Sequence, residues 1–423
     1  MAIIHVAMFD AMNTILPQYH SFTKVERPEG PIAVDAAIAQ AAHDTLVALY
    51  PSQTAKFDQL LAEDLASTPN NIARANAVTL GKAVAAAVLA QRVGDGVEVA
   101  EPAIGTGHPT SDLPGHWRQD PISRIPLAIG AYWGGCRPFV LTSGAQFRLG
   151  PPPPMTSPEY TAAYTEVKRL GGDGIATPTE RTAEQTFIGI FWAYDGTPSL
   201  CAPPRLYNQI AIQLANQNHV EGLRLARLLA ILNVAMADSG IAAWDSKYHW
   251  DVWRPITGIR ESDVGTGPSG AGDGNPYTVG DPGFSPLGAP ATNSQGPNFT
   301  PPFPAYPSGH ATFGGAIFQV LRRFFGTDQM PFTFVSDEFN GSTRGNDGTV
   351  RPLIPRHFQT LSQPEYENAI SRIYLGIHWN FDATEGIKLG RQVGDYVYDR
   401  VCRPLSGVQL PPRLPDPVNV TID

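Results

Sequence analysis

The chain has 423 residues, 42% of them hydrophobic, which is ordinary for a globular protein large enough to bury a sizeable core. Its formal net charge of -9 argues against a nucleic-acid partner, although a local cationic pocket remains compatible with it. Three widely spaced cysteines (Cys136, Cys201 and Cys402), with no CxxC pair, exclude a disulfide framework and a zinc-finger site and allow one disulfide at most.

From the N-terminus, Met1 to Asp10 reads as the middle of a helix, not as a charged segment followed by an apolar leader. The sequence thus reads as beginning partway into its first element; whether the natural chain starts upstream of Met1, and its compartment, including export, are left open. Val34 to Tyr50, Ser52 to Ala66 and Asn70 to Val93 carry a 3.6-residue apolar pattern, and the last ends at Gly94-Asp95-Gly96. A long irregular region, about Glu101 to Thr156, follows. Helices resume at Ser157-Pro158, a plausible N-cap with proline at the first helical position. They continue through Thr179 to Asp195, Arg205 to Asn216 and about Val220 to Trp253. Glu261 to Tyr306 is again irregular and rich in Gly, Pro, Asn and Ser. The last helical patterns are Gly309 to Phe325, Gln363 to Ile377 and Asp382 to Val401. Thr333-Phe334-Val335 is the best of few strand signals. No uninterrupted apolar run reaches the roughly 18 residues that span a bilayer, so a soluble protein with no membrane span is expected. The fold class is all-α, with helices packed as bundles, long irregular connections and little β.

Four stretches carry residues suited to chemistry. Pro301 to Gly315 brings a proline-stiffened lead-in to Ser308-Gly309-His310 at the start of a helix. Free amides and the positive end of the dipole suit an anion there. By itself the stretch reads at least as well as an N-cap followed by a surface histidine. Lys247 and Arg254 lie seven apart, two turns on one helical face if the helix runs through to Pro255, with Trp244, Trp250 and Trp253 as apolar walls. Two solvated basic residues would be the plainer account. His378 and Asp382 are i,i+4 neighbours if helical, so the carboxylate would fix the imidazole tautomer, and Arg372 can reach over the same space. A core histidine with a paired aspartate is the alternative. Asp195, in Phe191 to Gly196, opposes the dipole at a helix C-terminus, which suggests a cationic partner, though a solvated aspartate before a capping glycine fits as well. Together the three cations, the helix N-terminus and the two histidines suit a tetrahedral oxyanion such as phosphate or vanadate.

In chain order, Lys-x6-Arg-Pro (Lys247, Arg254, Pro255), Pro-Ser-Gly-His (Pro307 to His310) and Ser-Arg-x5-His-x3-Asp (Ser371, Arg372, His378, Asp382) resemble a three-part signature. It is that of the superfamily containing vanadium-dependent haloperoxidases and type 2 phosphatidic acid phosphatases. The Pro301 to Gly315 stretch, Glu367 to Trp379, Trp192 to Gly196 and Gly288 to Asn293 look like the fungal vanadium chloroperoxidase branch. The resemblance covers most of the chain to about Val401 and is strongest after Phe191.

The resemblance implies two four-helix bundles in one large domain, residues 1–403. About 1–200 would form a first half and about 201–403 a second half with the vanadate site, followed by a Pro-rich extended tail at 404–423. It implies a vanadate cofactor bonded to His378. Lys247, Arg254, Ser308, Gly309 and Arg372 would hold its oxygens. His310 would be the acid–base residue, Asp195 the partner of Arg372 and Asp382 the partner of His378. Trp244 and Phe303 would line the halide side. Implied partners are hydrogen peroxide, halide ions (bromide, iodide and, with Phe303 tilting towards it, chloride) and a small organic acceptor, with a homodimer as one assembly option. The implied activity is oxidation of halide by peroxide to hypohalous acid, with Lys247 polarising the bound peroxide. The alternatives are a phosphatase using His378 as nucleophile and His310 as acid, and a non-catalytic anion site. The chain departs from longer members in lacking an N-terminal segment and in having a short glycine-rich connection at 340–356.

Overall fold

The computed structural model describes residues 1–405, 413–415 and 417. Most of the expected Pro-rich tail thus lies outside the described residues. Twelve α-helices and one two-stranded sheet make up the regular structure among those described.

α1 (Ala2–Ile15), α2 (Val34–Leu49) and α4 (Ile72–Arg92) pack together, with α3 (Thr54–Ala66) laid on α2. Asn71 caps α4 by accepting from the amides of Ala73 and Arg74. α5 (Pro158–Leu170) starts as its sequence suggests, with Ser157 accepting from Tyr160 N and Pro158 in the first turn. α6 (Ala183–Phe191) opens on a capping box between Thr182 and Gln185. α7 (Pro203–Gln217) leads to α8 (Gly222–Trp250), which contacts α1 on one side and α10 (Gly309–Phe325) and α12 (Asn380–Tyr398) on the other. α4 and α8 are long and apolar enough to cross a membrane by length and composition alone. α8, however, is a largely buried core helix, and α4 buries only one face.

The helix expected to run to Trp253 stops at Trp250. Asp251 adopts φ +52°, a left-handed cap that turns the chain. Pro255 therefore ends nothing: it opens the short α9 (Pro255–Arg260), whose N-cap is Arg254. The expected helix to Ile377 stops at Tyr374, the end of α11 (Ser362–Tyr374), and Gly376 turns the chain at φ +73°. The strand signal at Thr333 to Val335 is borne out. β1 (Phe332–Asn340) pairs antiparallel with β2 (Leu353–Phe358), Thr333 opposite His357, with an irregularity between Val335 and Asn340. All three cysteines are free thiols, two of them buried.

α10 and α12 form the closest helix pair, and glycine makes it possible. Gly386, Gly390 and Gly394 recur every four residues along one face of α12. A Cβ on Gly390 would stand 2.1 Å from the carbonyl oxygen of Thr312 in α10. At the far end of α10, Arg322 is ion-paired with Asp328 at 2.7 Å and with Glu365, and Arg323 reaches Asp395 at 2.8 Å, fixing register among α10, α11 and α12. Gly390→Ala is expected to cost about 1–3 kcal/mol by overpacking. A urea-unfolding midpoint equal to that of the parent chain would contradict this.

Candidate active site

Helix ends and the connections beside them build the site. On the last buried turn of α8, Lys247 donates from Nζ to the carbonyls of Pro304 (2.9 Å) and Ala305 (3.0 Å). Arg254 sits past the left-handed turn, not on the same helix as Lys247. It donates from Nε to Phe303 O (2.9 Å) and from Nη1 to Ile377 O (2.8 Å). Two cations thus anchor the proline-rich lead-in by its carbonyls. That lead-in then passes a cis Tyr306–Pro307 peptide and delivers Ser308 to α10.

Ser308 is the N-cap of α10. Its Oγ accepts from Ala311 N, and its own amide donates to Asp382 O at 2.9 Å. Gly309 and His310 follow, in the first turn where amides lack intrahelical acceptors. A side chain on Gly309 would meet the Trp244 ring at 3.1 Å, so only glycine leaves that approach open.

His310 Nε2 lies 2.6 Å from the carbonyl oxygen of Ala193. A carbonyl only accepts, so Nε2 carries the proton and Nδ1 of the neutral ring holds the lone pair. The backbone carbonyl of His310 is itself held by Tyr207 Oη (3.0 Å) and Asn368 Nδ2 (2.8 Å). Asp195 receives Arg372 Nη2 at 2.7 Å. It is not at the end of a helix, as the sequence suggested: α6 closes at Phe191, and Tyr194, at φ +45°, turns the chain before Asp195.

His378 and Asp382 pair as expected, Nδ1 to Oδ2 at 2.8 Å, but for a different structural reason. His378 lies in the connection after Gly376, and Asp382 is in the first turn of α12, where it also accepts from Trp379 N at 2.9 Å. The carboxylate thus places the proton on Nδ1. Nε2 is left as a lone pair, 2.8 Å from Arg254 Nη1.

Charge is out of balance in this volume. Lys247, Arg254 and Arg372 are almost fully buried, against the carboxylates of Asp195 and Asp382. Burial pushes the Lys247 ammonium well below its usual range, aided by Arg254. Burial also brings Arg254 down to about 9. Both histidines are held well below 6.5, first by burial, then by Arg372 for His310 and by Arg254 for His378. Burial raises Asp195, with Arg372 pulling back, and raises Asp382 to about 7, with the Trp379 amide and Lys247 pulling back. Arg254 Nη2 and Arg372 Nε and Nη1 are buried without a hydrogen-bond partner. Unpaired buried donors of positive charge are costly, and one anion among them would satisfy all three.

These groups face a cavity of about 570 Å³ lined by Asp195, Gly309, His310, Arg372 and His378 at one end and by Trp133, Trp244, Phe303 and Phe313 along the wall. Lys247, Arg254, Ser308 and Asp382 are not part of that lining; Arg254 and Asp382 are hydrogen-bonded to His378 in it, and Arg254 to Phe303. Trp244 packs at a tilt against Phe303 (5.0 Å between centroids) and Trp133 (5.1 Å). Trp250 and Trp253, expected as walls, are not there. Trp250 donates to Leu149 O at 3.0 Å, and Trp253 is fully buried against Gly258 and Trp379. A larger groove of about 860 Å³ lies between α5 and the start of α12 and contains none of the site residues.

Sequence reasoning missed Trp133 and Phe313. Phe313 was within sight, three residues after His310 and so on the adjoining face of α10. Trp133 carries no local signal, since it lies in an irregular stretch that only the fold brings to Trp244.

Residues 227–407 match the family model described as the VCPO second helical-bundle domain. Over 289 residues the chain is 38% identical to a vanadium chloroperoxidase of Curvularia inaequalis, covering 60% of this chain and 46% of that protein. Over 105 residues it is 31% identical to a vanadium-dependent bromoperoxidase of Ascophyllum nodosum, covering 22% and 17%. The matches thus span less than half the length of these curated relatives. Among solved structures, a bacterial vanadium-dependent iodoperoxidase superposes with a TM-score of 0.75 at 24% identity, covering 96% of this chain and 91% of that one. A bacterial vanadium-dependent chloroperoxidase superposes with a TM-score of 0.67 at 18% identity, covering 94% and 91%. These two establish the helical fold over nearly the whole chain. The family model over 227–407 and the sequence matches thus agree with the resemblance read from the motifs, and the solved structures agree with its fold.

Proposed function

We propose that this chain is a vanadium-dependent haloperoxidase, oxidising halide with hydrogen peroxide to hypohalous acid at a vanadate held by His378. The observation that carries the proposal is the set of unpartnered buried guanidinium nitrogens on Arg254 and Arg372 around the lone pair of His378 Nε2. The donor set fits vanadate: a neutral imidazole for the metal, and guanidinium, ammonium and amide hydrogens for its oxygens.

In this reading Arg254, Arg372, Ser308 and Gly309 hold the oxygens, and Lys247 adds a point charge. Bound there, vanadate supplies a Lewis acid that activates peroxide without changing its own oxidation state. His310 receives the proton of incoming peroxide at Nδ1, with Ala193 holding the opposite edge of the ring. Lys247 donates towards the peroxide and draws electron density from it. The fixed donors stabilise negative charge as it develops, at no cost in reorganisation. Asp195 keeps Arg372 aimed, and Asp382 keeps His378 in its tautomer. Trp244 and Phe303 form the halide side. An uncharged phenyl ring there favours chloride competence beside bromide and iodide.

Vanadate-loaded protein is expected to halogenate monochlorodimedone with peroxide and bromide, iodide or chloride. No halogenation with any halide would sink the proposal. The same cage suits a phosphatase, but the largely apolar wall offers a departing alcohol few polar contacts. Robust hydrolysis of p-nitrophenyl phosphate by vanadium-free protein, inhibited by vanadate, would favour that alternative.

A further inference from the structure

Hydrogen peroxide is a few atoms and a halide a single one, each comparable in size to a water with its share of about 30 Å³. The cavity holds about 570 Å³. Several hundred Å³ therefore remain once the oxyanion cage and the reactants are in place. That volume falls in the range of about 300–1,000 Å³ in which proteins bury drug-sized molecules. We propose that this space binds the organic acceptor itself, as an uncharged, apolar, electron-rich molecule such as an alkene or arene, and holds it beside the halide while it is halogenated. The proposal rests on the haloperoxidase reading and names its second substrate class.

The wall is built for such a molecule. Away from the polar end it is formed by Ile125, Ile129, Trp133, Phe299 and Phe313 together with the prolines at 198, 203, 204, 301 and 302. Proline fixes φ, so much of the rim is preformed and little ordering cost falls on the ligand. Thr197 also lines the cavity, its Oγ1 buried and without a hydrogen-bond partner, but the polar groups at the Trp244 side are turned away. Trp244 donates its indole N–H to Ile129 O at 3.0 Å, and Tyr248 donates to the same carbonyl at 2.9 Å. Glu101 takes the amide of Gly130 at 2.7 Å, and Ile129 N donates to Pro302 O at 3.1 Å. The turn at 129–130 is thereby tied at both ends, and the ring face of Trp244 is what the cavity meets. A Cβ on Gly130 would lie 2.1 Å from that ring, so the turn and the tryptophan fit as one surface.

Charge selects against other acceptors. A cationic acceptor would approach Arg372 with Arg254 and Lys247 behind it, at unfavourable potential. An anionic acceptor would be drawn instead to the cage and would compete with vanadate for it. A neutral π system meets neither penalty. The chemistry balances with an alkene. The halogen takes the π electron pair to form a C–X bond as the O–X bond breaks, and hydroxide is released. Water adds to the second carbon and gives up a proton, which neutralises the hydroxide.

The test sets styrene against 4-styrenesulfonate, which share the reacting double bond and differ in charge, in one mixture with vanadate-loaded protein, peroxide and bromide. The product ratio is compared with that from added hypobromous acid at the same pH. Enzymatic bromination is expected to favour styrene by at least about tenfold over the free reagent, a gain that burial of a small apolar surface supplies. Ile125→Asp, a substitution in the wall at a residue with no hydrogen bond or ion pair to the cage, is expected to remove most of that preference while bromide oxidation without acceptor continues. A ratio equal to that of free hypobromous acid, or a preference unchanged in the variant, would overturn the proposal. Absence of tribromide in the acceptor-free control overturns the haloperoxidase reading, and this proposal with it.

Discussion

Replacing His310 by alanine is expected to lower kcat for bromide oxidation by about 10²–10⁴-fold, the usual contribution of a placed acid–base group. Vanadate affinity should change far less. The ring is buried, one edge is fixed on Ala193 O at 2.6 Å, and burial with Arg372 keeps it neutral at pH 7. A neutral imidazole with its lone pair on Nδ1 is a base ready for the proton of peroxide. The sign of the pH effect follows. The protonated ring cannot accept, so in the parent enzyme kcat falls as pH drops through the folded-state pKa of His310. An anion in the cage stabilises the imidazolium and moves that fall upward from the low value of the anion-free site. The alanine variant should lose this limb and show a flatter acid side. A kcat within threefold of the parent, or the same acid limb in the variant, would remove His310 from proton transfer. Measuring vanadate binding in parallel separates loss of chemistry from loss of cofactor.

The structure explains why much of this was legible in the sequence and where legibility stopped. Helix α10 was readable to the residue, because Ser308 caps it, Gly326 ends it at φ +73° and the residues between alternate with helical period. Pair identities were readable too: Asp195 with Arg372 and His378 with Asp382 are both in contact. The local backbone beneath them was not. Arg254, Asp195 and His378 all lie just beyond helices that the periodicity extended too far. Asp251, Tyr194 and Gly376 take positive φ between those helix ends and the functional groups. For glycine a left-handed turn is unremarkable. For Asp251 and Tyr194 it depends on tertiary support that no local pattern reports. Such turns let three chain segments each bring a polar side chain into one small volume, which continuous helices at those positions would not do.

The far wall of the cavity was illegible for another reason. Trp133 and Ile129 belong to an irregular segment whose place is set by Glu101, Pro302, Trp244 and Tyr248, all distant in sequence. The cationic cage needs charged residue types that stand out in any sequence. An apolar wall is made of the same residues as the core, and only its exposure to a cavity distinguishes it.

Replacing His378 by alanine is expected to have the largest effect of any substitution on cofactor binding. Loss of a partner that merely orients a ligand costs roughly 10–100-fold in affinity, and Asp382→Asn should fall in that range. Removing the ligating nitrogen itself should cost more, because His378 Nε2 is the one unprotonated nitrogen that faces Arg254 among three buried cations. The cage would survive the change. Arg254 and Arg372 keep their anchors on Phe303 O and Asp195, and α10 keeps its N-cap. What remains is a site that attracts any tetrahedral oxyanion by charge and hydrogen bonding alone. The variant should therefore bind phosphate about as well as vanadate, whereas the parent should prefer vanadate strongly, since only vanadium would take a bond from the imidazole nitrogen. Competition calorimetry with the two anions reads this directly. A variant that still prefers vanadate over phosphate by the parent's margin would show that His378 is not the metal ligand, and the lone pair beside Arg254 would need another occupant.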